Sequence, residues 1–106
     1  PRMVEKIIWT ATAREDLREI VLRIAADRPL LAETYGLELI ATAETVAEFP
    51  HLGRFVPEFE DQSLREIIKA PYRIIYELFP HQPRPVIMRV WHGARGTPEI
   101  VRPPSL

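Results

Sequence analysis

Five side chains in the second half of this chain are of the kinds that grip or cleave phosphate esters: Arg65, Tyr72, Arg73, His92 and Arg95. A guanidinium binds phosphate or carboxylate through two parallel hydrogen bonds. An imidazole titrates near neutral pH and suits a general acid or base. A metal-free RNA cleavage site can be assembled from such parts: one group takes the 2'-hydroxyl proton, one protonates the leaving oxygen, and arginines stabilise the phosphorane. The same residues have plainer uses. An arginine on a strand is equally a solvated side chain or a cross-strand partner for Glu66 or Glu77. Tyr72 and Tyr76 at alternating positions suit core packing, and His92 can simply bond a carbonyl at a strand end. Gly93 marks a sharp turn or a close backbone approach, so Arg95 emerges just past the sheet edge and is the strongest single candidate.

Other chemistries find no support in the sequence. His51, His81 and His92 lack the short spacings that put two imidazoles on one metal. No Gly-rich phosphate loop, serine elbow or thiol is present, which removes most hydrolase and nucleotide-binding readings. No metal and no cofactor are expected. The 106 residues suit a single domain, 1–106, with one core. The absence of cysteine excludes disulfides and thiolate zinc sites and is compatible with a reducing cytoplasm. No run reaches the roughly 20 apolar residues of a membrane span, and the N-terminus lacks the order of a secretion signal. The chain opens on Pro1, so either an initiator residue is missing or Met3 is the expected natural start.

The net charge of −1 argues against a broadly basic surface that grips nucleic acid through many phosphates. Its distribution is uneven. Residues 1–60 hold seven Lys/Arg against eleven Asp/Glu, a balance of −4, whereas residues 61–106 hold seven against four, a balance of +3. The reactive residue types therefore lie in the basic half, although helices also tend to carry more surface glutamate.

The elements that must position them follow from periodicity. Val4–Trp9 reads as a short first strand. Thr12-x-x-Glu15 has capping-box spacing, and Ala13, Leu17, Ile20, Val21 and Ile24 recur at helical spacing, with Arg14, Asp16, Arg18 and Arg23 mostly elsewhere. That helix should end near Asp27, because Arg28 precedes Pro29. A second helix runs from Pro29 to Glu48 with a buried stripe of Leu31, Ala32, Tyr35, Leu39, Ala43 and Val46, and Gly36 suits a close helix approach. Residues 50–61 read as a surface loop. Three strands follow. In the middle one Tyr72, Ile74, Tyr76 and Leu78 oppose Arg73, Ile75, Glu77 and Phe79. Residues 80–85 make the turn back, and Val86, Met88, Val90 and His92 alternate with Ile87, Arg89 and Trp91. Residues 96–106 read as an irregular, partly mobile tail. The fold class is α+β, β-α-α-β-β-β, a helical hairpin packed on a small, mainly antiparallel four-stranded sheet.

The runs Leu64-Arg65-Glu66-Ile67-Ile68, Pro71-Tyr72-Arg73-Ile74-Ile75-Tyr76-Glu77 and Val90-Trp91-His92-Gly93-Ala94-Arg95, in that order and after a helical hairpin, resemble the RelE/ParE toxins of bacterial type II toxin–antitoxin modules. The resemblance covers nearly the whole chain. RelE-like members are ribosome-dependent mRNA endonucleases whose central- and final-strand arginines match Arg73 and Arg95. Their second-strand basic pair is replaced here by Arg65 and Lys69, and no tyrosine follows Arg95. ParE-like members poison DNA gyrase by binding and commonly show a Leu-Arg-Glu strand, a Tyr-Arg-Ile-Ile-Tyr strand and a His-Gly-x-Arg ending. The ParE-like reading ranks first, with Arg65, Tyr72, Arg73, His92 and Arg95 as target-binding residues. In the RelE-like alternative Arg73, Arg95 and His92 are catalytic, with the ribosome and mRNA as target. Either reading implies a cognate antitoxin, a toxin–antitoxin hetero-oligomer and a cytoplasmic location. Leu22, Leu30 and Leu37, which do not all fit the core stripes, are candidates for the antitoxin groove.

Overall fold

The computed structural model describes residues 6–102. Its elements are β1 (Ile8–Trp9), α1 (Ala11–Ala25), α2 (Pro29–Glu48), β2 (Arg54–Phe55), β3 (Leu64–Lys69), β4 (Tyr72–Phe79), β5 (Gln82–His92) and a 3₁₀ turn (Gly93–Arg95). The five strands form one sheet in the order β1-β5-β4-β3-β2. Pairing is antiparallel except for β1, which runs parallel to β5. The α+β class and the element order are as expected, with one strand more than the four expected. The extra strand is β2, inside the segment read as loop; two residues pairing Arg54 with Glu66 and Phe55 with Arg65 are too short to leave a periodic signal. Of the expected strand Val4–Trp9, residues 4 and 5 lie outside the described residues.

Helix α1 starts at Thr10, not at the expected cap Thr12. Thr10 is extended (φ −66°, ψ 158°), and its hydroxyl accepts from Ala13 N at 3.0 Å. That hydroxyl also donates to Ile87 O at 3.0 Å, and the Thr10 backbone N–H donates to the same oxygen. One residue thus ends β1, ties it to β5 and caps the helix, which tertiary contact rather than local spacing decides. The helix ends at Ala25, and α2 takes Pro29 in its first turn as expected.

The buried line of α2 is Ala32, Gly36, Leu39, Ala43 and Val46; Leu31 is about half exposed and lies off the stripe. Gly36 is the point of helix contact. A Cβ there would stand 2.9 Å from Val21 Cγ2, so a larger residue would force the Val21 side chain or the helices to shift.

Both faces of the sheet are covered. The helices pack on Tyr72, Ile74, Tyr76, Ile87 and Val90. The other face carries a second cluster of Val56, Leu64, Ile75, Val86, Met88 and Trp91, with Phe59 and Ile100 laid over it. The segment after Gly96 is irregular, yet it is seated on this second face: Pro98 is buried, Glu99 O accepts from Arg89 Nη1 at 2.7 Å, and Arg102 bonds Glu77 and Asp61. Residues 103–106 lie outside the described residues.

Strand β5 begins at Gln82, so the turn shrinks to Pro80–His81. Between β4 and β5 the register passes from Ile75↔Arg89 to Tyr76↔Ile87, leaving Met88 as an extra residue in a β-bulge. The simple alternation expected for β5 is corrected there. Val90 and His92 join Ile87 on the helix side, while Val86, Met88 and Trp91 line the other.

Candidate functional site

The five candidate residues do not form one cluster. Arg73 projects from the helix-distal face of β4 and is 8% exposed. Its Nε donates to Glu66 Oε1 at 2.7 Å, and Nη1 and Nη2 clasp Glu58 at 2.8 and 2.6 Å. Hydrogen bonding to Glu58, aided by Glu66 and opposed by burial, holds its guanidinium well above the ordinary arginine range, and the same bonds hold the Glu58 carboxyl below its usual range. Glu66 is shared with Arg54 at 2.7 Å. Arg73 is thus an internal counter-ion whose fork is filled by the protein itself.

Arg65 is committed to structure too. Its Nη1 donates to Gly53 O at 2.8 Å, and its guanidinium lies 4.3 Å from the Phe55 ring centroid. The sheet therefore puts Arg65 on the β2 side, whereas His92 and Arg95 end the strand two positions across the sheet.

Tyr72, His92 and Arg95 do come together. The bulge at Met88 sets His92 opposite Tyr72, with ring centroids 5.2 Å apart in an edge-on arrangement. Ala94 N donates to His92 Nδ1 at 3.0 Å. The neutral ring consequently carries its proton on Nε2, which is a donor. Gly93 N donates to Pro71 O at 2.8 Å, closing the turn. Gly96 then takes φ +85°, which permits its carbonyl to accept from Trp91 Nε1 at 3.1 Å. This fold-back lays Arg95 over Trp91, 3.8 Å from the ring centroid. Tyr72, His92 and Arg95 line a polar cleft of about 230 Å³ with Asp16, Glu19 and Arg23 from α1.

Asp16 is the residue that fixes α1 over this cleft. It is buried and receives Arg89 Nε and Nη2 at 2.8 Å each, and also Val90 N at 3.0 Å. Because β1 pairs only with Val86 and Ile87, the outer edge of β5 is open at Val90, and Asp16 caps it. The Asp16 hydrogen bonds raise the Arg89 guanidinium above its ordinary range against the effect of burial.

On the other side of α1, Trp9, Leu17, Val21, Leu22 and Ile40 line an apolar groove of about 490 Å³ with Arg14 and Arg18 at its rim. Leu22 is therefore in the groove; Leu30 and Leu37 are exposed on α2 outside it. No helix among the described residues is long and apolar enough to cross a membrane.

The model of the ParE toxin of type II toxin-antitoxin systems, parDE, matches residues 7–96. The chain belongs to the ParE toxin family. Toxin RelE2 of Caulobacter vibrioides is 31% identical over 90 residues, which span 85% of this chain and 97% of that protein. A solved structure of the chromosomal ParDE TA system from P. aeruginosa shares the fold, with a TM-score of 0.66 at 16% identity over 83% of this chain and 98% of the other. The matched residues of this ParE-family toxin include both helices, all five strands and the 3₁₀ turn, and so every residue of the cleft.

Sequence reasoning missed Asp16, Arg89, Glu58 and Arg23. Asp16 had a signal: it sits three residues after Ala13 and four before Ile20, on the apolar side of the helix. Arg89 in an apolar strand likewise required a partner. Nothing local marked Glu58, whose partner Arg73 is 15 residues away across a loop.

Proposed function

We propose that this ParE-family protein is the toxin of a type II pair, that it arrests growth by binding DNA gyrase, and that a cognate antitoxin neutralises it in a hetero-oligomer. The observation that carries the binding reading over phosphate chemistry is the state of Arg73. A cleavage site needs Arg73 and Arg95 on the same phosphate, but Arg73 is saturated by Glu58 and Glu66 on the sheet face away from His92. Releasing it exposes two carboxylates where a phosphate would have to sit. A binding toxin needs no such set, and the face formed by Tyr72, His92 and Arg95 remains for contact with the target. The groove beside Leu22 fits an amphipathic helix of the antitoxin, and its Arg14 and Arg18 rim suits an acidic flank. Gyrase as target implies action in the cytoplasm.

One observation favours a second reading, a RelE-like mRNA endonuclease. His92, Tyr72 and Arg95 stand together in one cleft, the residue types from which a metal-free cleavage site can be built.

Pulse-labelling of bacteria within minutes of induction separates the two. Gyrase poisoning predicts early loss of thymidine incorporation while leucine incorporation continues. Early loss of leucine incorporation overturns it in favour of mRNA cleavage.

A further inference from the structure

We infer that the cleft between α1 and the end of β5 takes the carboxylate of an acidic side chain presented by the protein that this toxin engages. The inference rests on the reading that this face meets a protein target, and adds the chemistry by which it is recognised.

The cleft offers donors. The Tyr72 ring is buried, while its hydroxyl is open to solvent in the cleft and makes no hydrogen bond among the described residues, so it is available to a ligand. His92 adds Nε2–H, because Nδ1 is occupied by Ala94 N. Arg95 and Arg23 add guanidinium groups from the turn and from the last turn of α1. On the acceptor side, both oxygens of Asp16 are consumed by Arg89 and Val90 N, and that pair is internally neutral. Glu19 remains. Among the described residues of the cleft, two cations outside any ion pair against one carboxylate leave a single positive charge, to be matched by a monoanion.

Shape and charge together favour a carboxylate over a phosphodiester. A carboxylate arrives at the end of a side chain and needs one entrance, whereas a phosphodiester continues on both sides and would have to run past Glu19. A planar carboxylate also fits one guanidinium fork with a hydroxyl donor beside it.

The test titrates sodium acetate into the purified full chain at constant ionic strength while following the His92 and Tyr72 ring resonances by NMR. The expected result is a saturable shift with a millimolar midpoint. Tyr72→Phe, which keeps the packed ring, raises the midpoint about tenfold, and Arg95→Gln removes saturation. Arg84→Gln, at the far end of β5, leaves the midpoint unchanged. Thermal unfolding of each variant checks that the fold persists. A linear, unsaturated shift overturns the inference, as does an equal midpoint in wild type and Tyr72→Phe. Saturation by inorganic phosphate but not by acetate also overturns it. Loss of the gyrase reading in pulse-labelling, with acetate binding intact, would sink the target and leave the chemistry of the cleft standing.

Discussion

Among the arginines of this toxin, exposure separates the candidate for target contact from the structural ones. Arg95 stacks on the Trp91 ring, lines the cleft and makes no ion pair among the described residues, so Arg95→Ala should abolish growth arrest while changing stability by no more than about 1 kcal/mol. Colony counts after induction, read beside urea unfolding, check both halves of that expectation. Arg73 should behave in the opposite way. Its removal leaves Glu66, which is 1% exposed, with Arg54 as its remaining partner, and Arg73→Ala should cost about 3–5 kcal/mol. Any loss of toxicity in that variant should therefore track loss of folded protein, which a soluble-fraction measurement alongside the growth assay reveals. The sequence distinguished residue types but not these fates. Tyr-Arg-Ile-Ile-Tyr places Arg73 on the face away from the tyrosines, and nothing in that strand tells whether Glu58 will reach it from a loop.

At the scale of elements, the site depends on two features that sequence periodicity does not carry. The bulge at Met88 rotates the end of β5 so that His92 faces the helices; strict alternation would group it with Met88 instead. The Asp16–Arg89 pair then clamps α1 to that strand. Asp16→Asn keeps an acceptor for Val90 N but removes the charge that balances Arg89, and should destabilise by about 2–4 kcal/mol in denaturant unfolding. It should also broaden the His92 resonance, since α1 forms one wall of the cleft. Helix α1, by contrast, was legible to within about two residues at each end, and α2 to the residue. Pro29 fixes the start of the second, Phe49-Pro50 fixes its end, and the apolar stripe between them is long enough to override the weak glycine at position 36. Strands β3 and β4 were equally plain. The two-residue strand β2 was not, because a pair of residues has no period and its pairing is set by Glu66 and Arg65 elsewhere in the chain.

Taken whole, the molecule divides its charge between two faces of one sheet, and acid should undo one of them first. The covering over the Val56–Trp91 cluster is held by Glu58 on Arg73 and by Asp61, whose carboxyl is kept below its usual range by Ser63 and then by Arg102. For both groups the folded value is depressed below the unfolded one. Their contribution is therefore fully present above the ordinary carboxylate range, near pH ~4 to ~4.5, and is lost as pH falls through the lower folded values. Melting temperature should be flat from neutral pH to about pH 5 and fall below it. The fall should be shallower in Glu58→Gln, which scanning calorimetry across that range measures. The sheet has one more property that concerns the molecule in company. Each of its two margins ends in a strand of only two residues, β1 and β2, so the outer edges of β5 and β3 are covered by a neighbouring strand at Val86–Ile87 and Arg65–Glu66 alone. What lies beyond is blunted against pairing with another copy: Pro83 and Pro85 offer no N–H, Asp16 occupies Val90 N, and Lys69 puts a charge at the end of β3. Toxin molecules left unpartnered when antitoxin runs out should consequently stay as separate, diffusing particles instead of condensing into fibrils, and remain a danger to the cell that holds them.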